Sequence, residues 1–151
     1  MELIAQNLVK KYPQAQKNAV DGLSLHLKKG VYGLLGANGA GKTTLMRMLC
    51  GILRPESGTI ALDGMDVSTE GYRAFLGYLP QDFGYYPEFT GMDFLLYLSA
   101  LKGLDKRQAR EEAQRLLSLV SLAESANRKI RTFSGGMKQR LGIAQALIGR
   151  P

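Results

Sequence analysis

Apolar and polar positions alternate from the first residues. Glu2 to Val9 predicts a strand, with Leu3, Ala5 and Asn7 on one face and Ile4 and Leu8 on the other; Tyr12-Pro13 breaks it. Val20 to Leu27 predicts a second strand, with Leu23, Leu25 and Leu27 inward and Ser24, His26 and Lys28 outward. After the Lys29-Gly30 turn, Val31-Tyr32-Gly33-Leu34-Leu35 is an unbroken apolar run of strand length, as expected of a parallel strand covered on both faces. Leu45 to Leu53 reads as a helix stopped by Gly51 and Pro55. Thr59 to Leu62 is a strand followed by the turn pair Asp63-Gly64. Val67 to Ala74 is a short helix, and Phe75 to Leu79 a short strand closed by Pro80 and Gln81.

Beyond residue 82 the period lengthens to that of helices. An aromatic loop, Phe83 to Phe89, leads to the capping box Thr90-x-x-Asp93 and a helix with Phe94, Tyr97, Leu98 and Leu101 on one stripe; Gly103 ends it. Asp105 with Gln108 caps a longer helix that buries Ala109, Ala113, Leu116, Leu117 and Val120 and turns Arg107, Arg110, Glu111, Glu112 and Arg115 outward. Ser134-Gly135-Gly136 opens a third helix, Met137 to Ile148. Strands thus precede helices, with one strand–loop–helix unit between them.

That unit contains Gly36-Ala37-Asn38-Gly39-Ala40-Gly41-Lys42-Thr43-Thr44, which has the P-loop form G-x-x-x-x-G-K-[ST]. Glycines without Cβ let the backbone approach a phosphate closely. The loop N–H groups and the helix N-terminus then favour an anion. Lys42 is expected to reach the β- and γ-phosphates of a nucleotide, and the Thr43 hydroxyl to bind Mg2+ beside them. No Asn-Lys-x-Asp guanine-reading sequence is present, which disfavours a GTPase.

Composition narrows this little. The 151 residues, 45% hydrophobic and 22% charged, suit one domain or part of one. Met1-Glu2-Leu3-Ile4 lacks the basic start of a secretory signal, and no apolar run approaches the ~20 residues of a membrane span. The one cysteine, Cys50, forms no internal disulfide and reads as a small core residue. The net charge of +7 comes from scattered pairs without interleaved aromatics, so no nucleic-acid partner is expected. His26, the one histidine, sits on an outward strand face with no second histidine to share a metal.

The second glycine-rich segment decides among P-loop families. Phe133-Ser134-Gly135-Gly136-Met137-Lys138-Gln139-Arg140 resembles the signature of ATP-binding cassette (ABC) ATPases, of the bacterial exporter type. Gln81 falls where that family has its Q-loop, and Tyr12 where it has its adenine-stacking aromatic. Phe133 and Met137 depart from the commoner Leu and Gln, outside the Ser-Gly-Gly that meets phosphate.

The resemblance implies an α/β fold: a P-loop NTPase (RecA-like) core with an antiparallel β subdomain and an α-helical subdomain, incomplete at the C-terminus. The β subdomain and P-loop core would span residues 1–81, and the helical subdomain 82–151. It implies ATP and Mg2+ as ligands, held by Tyr12, Gly36, Asn38, Gly39, Ala40, Gly41, Lys42, Thr43, Thr44 and Gln81, with Thr43 and Gln81 on the metal. Ser134, Gly135 and Gly136 would act on the ATP of a second ABC subunit in a head-to-tail dimer.

A transmembrane permease subunit, met by the aromatic loop, and a peripheral place on the cytoplasmic side of the cell membrane complete the expectation. The competing reading of the loop is local packing onto the helix after Thr90. The family's Walker B aspartate, catalytic glutamate, D-loop and switch histidine come later in its order than Pro151. No residue here is assigned as the catalytic base, and these residues alone are expected to turn over ATP poorly. Rival readings are a soluble ABC ATPase acting on ribosomes or DNA, and an ATP-dependent interaction module without turnover.

Overall fold

The computed structural model describes residues 1–81 and 84–151; Phe83 of the aromatic loop lies outside them. The chain forms two compact units, residues 1–74 and 75–151.

In the first unit, strands β1 (Glu2–Lys10), β2 (Val20–Lys28), β3 (Ser57–Leu62) and β4 (Met65–Asp66) form an antiparallel sheet in the order β2-β1-β3-β4. The helices of this unit are α1 (Lys42–Leu49) and α2 (Glu70–Ala74). The Asp63-Gly64 turn joins β3 to β4 with both residues at positive φ, as a two-residue hairpin requires. Ala5, Leu8, Val20, Leu45, Met48 and Ile60 form the core, so the sheet packs on the face that α1 presents through Leu45 and Met48.

Strand β1 departs from simple alternation. Asn7 has φ 49°, its N–H donates to Ser24 Oγ at 2.9 Å, and the register with β2 shifts between Ala5 and Leu8. This bulge turns Leu8 to the Ala5 side, where it is fully buried, while Ile4, its expected companion, is exposed.

Helix α1 also stops earlier than the apolar pattern suggested. Gly51 takes φ 66°, its N–H bonds Met48 O, and Ile52 N–H bonds Arg47 O at 2.9 Å, closing the helix four residues before Leu53. Tyr72 of α2 donates its hydroxyl to Leu49 O, and burial pushes its phenol pKa up.

Two expected strands are not strands. Val31–Leu35 and Phe75–Leu79 have no ladder hydrogen bonds, and Val31 and Leu35 are almost wholly exposed. An apolar run becomes a strand only when a neighbour pairs with its N–H and C=O groups, and no described strand does so here.

The second unit packs α3 (Gly91–Leu101), α4 (Lys106–Leu119) and α5 (Gly135–Ala146), with 3-10 turns at Ala123–Ser125 and Ile130–Thr132. Both expected capping boxes form, Thr90 with Asp93 and Asp105 with Gln108. Ala109, Ala113, Leu116, Leu117 and Val120 are buried as expected, with Phe94, Leu95, Ile130, Leu141 and Ile148.

Three positions differ. The buried stripe of α3 runs through Gly91, Phe94, Leu95 and Ser99, leaving Tyr97 and Leu101 exposed. Glu112, expected outside, is buried. Arg115 grips both its oxygens at 2.7 and 2.9 Å, so the charge is paired rather than stranded. Cationic side chains close the helix ends: Arg140 donates to Val120 O and Ser121 O beyond α4, and Lys102 to Ile148 O beyond α5. Among the described residues no helix is long and apolar enough to cross a membrane.

Candidate functional site

The P-loop leads into α1 through an exposed turn. Gly39 has φ 82°, and Ala40 N–H bonds Ala37 O at 3.2 Å. Gly41, at φ 83°, is the N-cap of α1 and has no side-chain cap. A Cβ there would stand 2.0 Å from Ala19 O, in the segment before β2. Only glycine fits: the left-handed backbone disfavours other residues, and the Ala19 carbonyl excludes them. The phosphate loop is thereby braced on the segment between Tyr12 and β2.

Lys42 curls back over the loop and donates to Gly36 O and Ala37 O, each at 2.6 Å. Its ammonium is therefore held against the loop's own carbonyls, and Gly36, Asn38, Gly39 and Ala40 are exposed. Thr43 is exposed at the second residue of α1, while Thr44, one residue on, is buried. The Tyr12 hydroxyl lies 3.2 Å from Thr44 Oγ1, so the expected aromatic and the P-loop helix meet directly. A groove of about 460 Å³ beside Tyr12 is lined by Lys10, Lys11, Pro13, Leu53 and Glu56. A cation over a glycine loop at a helix start is equipped to bind a polyphosphate.

The second glycine site is built differently. Ser134 is the N-cap of α5, and its Oγ accepts Met137 N–H at 3.2 Å. Neither Gly135 nor Gly136 has positive φ, and a Cβ on either would meet nothing within 4 Å. All three residues are exposed. Behind them Phe133 is buried against Gly91. Arg131 N–H bonds Pro87 O and Ile130 N–H bonds Phe89 O. Glu88 receives Lys129 at 2.7 Å and Arg131 at 3.4 Å, and the Lys129 hydrogen bond lowers its carboxyl pKa. The approach to Ser134 is thus pinned to the aromatic loop.

Gln81 is exposed at a bend and shares a cleft of about 530 Å³ with Leu79, Pro80, Tyr85, Lys138 and Gln139. The Lys138 ammonium stands 4.7 Å from the centre of the Tyr85 ring, a cation–π contact joining the first turns of α5 to the segment after Gln81.

The aromatic loop does pack locally. Tyr86 and Phe89 meet Tyr97 edge-on, with ring centroids 5.7 and 5.9 Å apart. Tyr86, Tyr97 and Leu101 nevertheless remain exposed as a patch. A hydrogen bond that the Tyr97 hydroxyl donates to Tyr86 raises its pKa.

The Tyr12–Thr44 pair, the Lys138–Tyr85 contact and the Glu88 ion pairs were not read from the sequence. Each joins residues far apart in the chain, and no periodicity signals it.

Glycine loop, cationic lysine and braced helix define a P-loop nucleotide-binding protein. The protein family described as ABC transporter matches residues 20–151, and this chain belongs to it. It is 43% identical over 150 residues to the ABC transporter ATP-binding protein YxlF of Bacillus subtilis, covering 99% of this chain and 49% of that protein. It is 40% identical over 152 residues to the linearmycin resistance ATP-binding protein LnrL of Bacillus subtilis, covering 99% of this chain and 48% of LnrL. Against the Nod factor export ATP-binding protein I of Paraburkholderia xenovorans the identity is 42% over 139 residues, 90% of this chain and 46% of that protein.

The chain thus spans about half the length of these curated relatives. Among solved structures, an ATP-binding subunit of an ABC transporter superposes with TM-score 0.81 at 27% identity, over 100% of this chain and 63% of that one. An ATP-binding cassette of an ABC transporter in its ADP conformation gives 0.82 at 26%, over 100% and 66%. The fold is the α/β ABC ATPase fold.

Proposed function

We propose that this chain provides the ATP-binding part of an ABC exporter subunit, coupling ATP binding and hydrolysis to outward transport. The observation that carries the reading is the contrast between its two glycine sites. Gly41 is required by its own unit, whereas Gly135 and Gly136 answer to no neighbour in theirs. Bare, exposed glycines at a capped helix start suit the close approach of a phosphate from outside. That is what the signature segment offers to the ATP of a second subunit in a head-to-tail dimer.

ATP would lie with its β- and γ-phosphates under Lys42 and among the N–H groups of residues 36–44. The exposed Thr43 hydroxyl is a hard oxygen ligand of the kind Mg2+ takes, and the Gln81 amide oxygen is the second assigned ligand. Mg2+, once bound, neutralises charge on the transferred phosphoryl group. Tyr12 supplies a stacking face for adenine, and Ser134, Gly135 and Gly136 act on the partner's nucleotide. The exposed Tyr86–Tyr97–Leu101 patch suits a permease subunit, whose helices would hold this chain on the cytoplasmic face of the membrane. The substrate is chosen by that permease. Export and resistance appear in the names of LnrL and of the Nod factor protein, which supports the exporter reading.

The test is calorimetric ATP binding with Mg2+, paired with a hydrolysis assay. ATP should bind, and Lys42→Ala should weaken it at least tenfold, by about 1.4 kcal/mol or more. Residues 1–151 hold no assigned base, so hydrolysis by them alone should stay near background. Undiminished binding by Lys42→Ala, or turnover that depends on Lys42, would overturn the respective part of the reading.

A further inference from the structure

The chain just before Tyr12 is held by a residue from far along the sequence. Glu56 donates its N–H to Val9 O at 2.9 Å, and its carboxylate accepts Lys11 N–H at 3.3 Å. Lys11 lies past the last ladder position of β1, so its N–H takes the carboxylate instead of a strand partner. The same carboxylate oxygen lies 3.8 Å from the Lys10 ammonium, on a side chain only 17% exposed. Glu56 thus grips Val9, Lys10 and Lys11 where β1 ends and the Tyr12 turn begins.

The turn is fastened elsewhere too, by Ala19 N–H on Lys10 O at 2.7 Å and by Ala15 N–H on Tyr12 O at 2.9 Å. Pro13 narrows the Tyr12 backbone further, since a residue before proline is biased toward extended conformations. Glu56 belongs to neither glycine site. It stands between Pro55 and β3 and lines the groove beside Tyr12.

An aromatic on a loose turn must be ordered when a base stacks on it, and that ordering reduces affinity. A turn fixed beforehand avoids the loss. We propose that Glu56 is a positioning residue for nucleoside recognition: by anchoring the Lys11 backbone it sets the place from which the Tyr12 ring meets the base. The carboxylate acts through the turn, so its effect falls on the nucleoside part of the ligand and not on the phosphates. This rests on the ATP-binding reading above, with Tyr12 as the stacking residue.

The experiment measures calorimetric affinities of the full chain for ATP and for inorganic tripolyphosphate, both with Mg2+. It reads their ratio, in which a general effect of a lost charge on anions largely cancels. Glu56→Ala removes the acceptor, Glu56→Gln keeps an acceptor oxygen without the charge, and Tyr12→Ala removes the ring. Glu56→Ala should lower the ratio about three- to tenfold, the worth of one hydrogen bond. Glu56→Gln should leave it unchanged. Tyr12→Ala should lower it at least as far, and adding Glu56→Ala to Tyr12→Ala should change it no further.

A ratio unaltered by Glu56→Ala would overturn the proposal. So would a ratio that Glu56→Gln lowers as far as Glu56→Ala does, or a further fall when Glu56→Ala joins Tyr12→Ala. Loss of tripolyphosphate binding by Glu56→Ala would make Glu56 a support of the whole unit and overturn it too. A ratio that ignores Tyr12→Ala would overturn the assignment of Tyr12 to adenine. An unaltered chain that binds neither ligand would overturn the ATP-binding reading itself, and the proposal falls with either.

Discussion

Helices α1 and α5 both begin on glycine, but glycine is needed for opposite reasons. At α1, Gly41 sits at φ 83° with no side-chain cap, pressed against Ala19 O. At α5, Ser134 caps the helix with its own hydroxyl, and Gly135 and Gly136 have ordinary φ and open space around them. A glycine that its own fold demands reports on folding. A glycine that its own fold does not demand reports on what comes from outside. One segment is therefore braced within its unit and the other stands bare, although both read as glycine-rich helix starts.

Substitution at these glycines separates the two most strongly. Gly41→Ala should destabilise the first unit by about 3 kcal/mol or more, through left-handed strain and collision with a backbone carbonyl. Thermal unfolding should show it, and ATP binding should be lost with it. Gly135→Ala should leave stability unchanged or raise it by up to ~1 kcal/mol, since alanine favours the helix. Hydrolysis by the assembled transporter should nonetheless fall at least tenfold. A melting temperature lowered by Gly135→Ala would erase the distinction.

The cap itself comes next. Ser134→Ala removes the acceptor for Met137 N–H and should cost about 1 kcal/mol in denaturant unfolding of the second unit. The start of α1 has no side-chain cap to lose.

A smaller effect concerns acid. The Arg115 hydrogen bond lowers the pKa of Glu112, so the folded chain holds this proton less tightly than the unfolded one. That stability is complete above the unfolded carboxylate range and is lost as pH falls through the folded pKa. The gap in melting temperature between the unaltered chain and Glu112→Gln should therefore narrow from about pH 6 to about pH 3. A gap constant with pH would assign Glu112 a packing role only.

Smallest of all, Ser99 Oγ is buried without a hydrogen-bond partner among the described residues. Ser99→Ala should be neutral or slightly stabilising in the same unfolding assay, because a buried hydroxyl left unpaired costs free energy. A clear loss of stability would reveal a bond to that oxygen.

Local chemistry explains which expectations held. The capping boxes at Thr90 and Asp105 and the Asp63-Gly64 hairpin form because their partners lie within a few residues. The apolar face of α4 appears as read because helical spacing alone builds it. Val31–Leu35 did not become a strand, since pairing is a property of two segments and the pattern describes one. Leu8 changed sides for a subtler reason. The Asn7 bulge inserts a residue into the ladder, and with a period of two a single insertion exchanges the faces. Glu112 went inward because Arg115 was there to pair with it.

The sequence by itself determined the chemistry of this protein: the P-loop, the Ser-Gly-Gly signature and their order along the chain. These depend on residue type and spacing over a few positions, where the backbone leaves few alternatives. Only the tertiary structure decided that Gly41 is locked to Ala19, that Tyr12 is tied to Thr44, and that the signature glycines stand free. Such contacts join residues tens of positions apart, and they exist only once packing has chosen which distant surfaces meet.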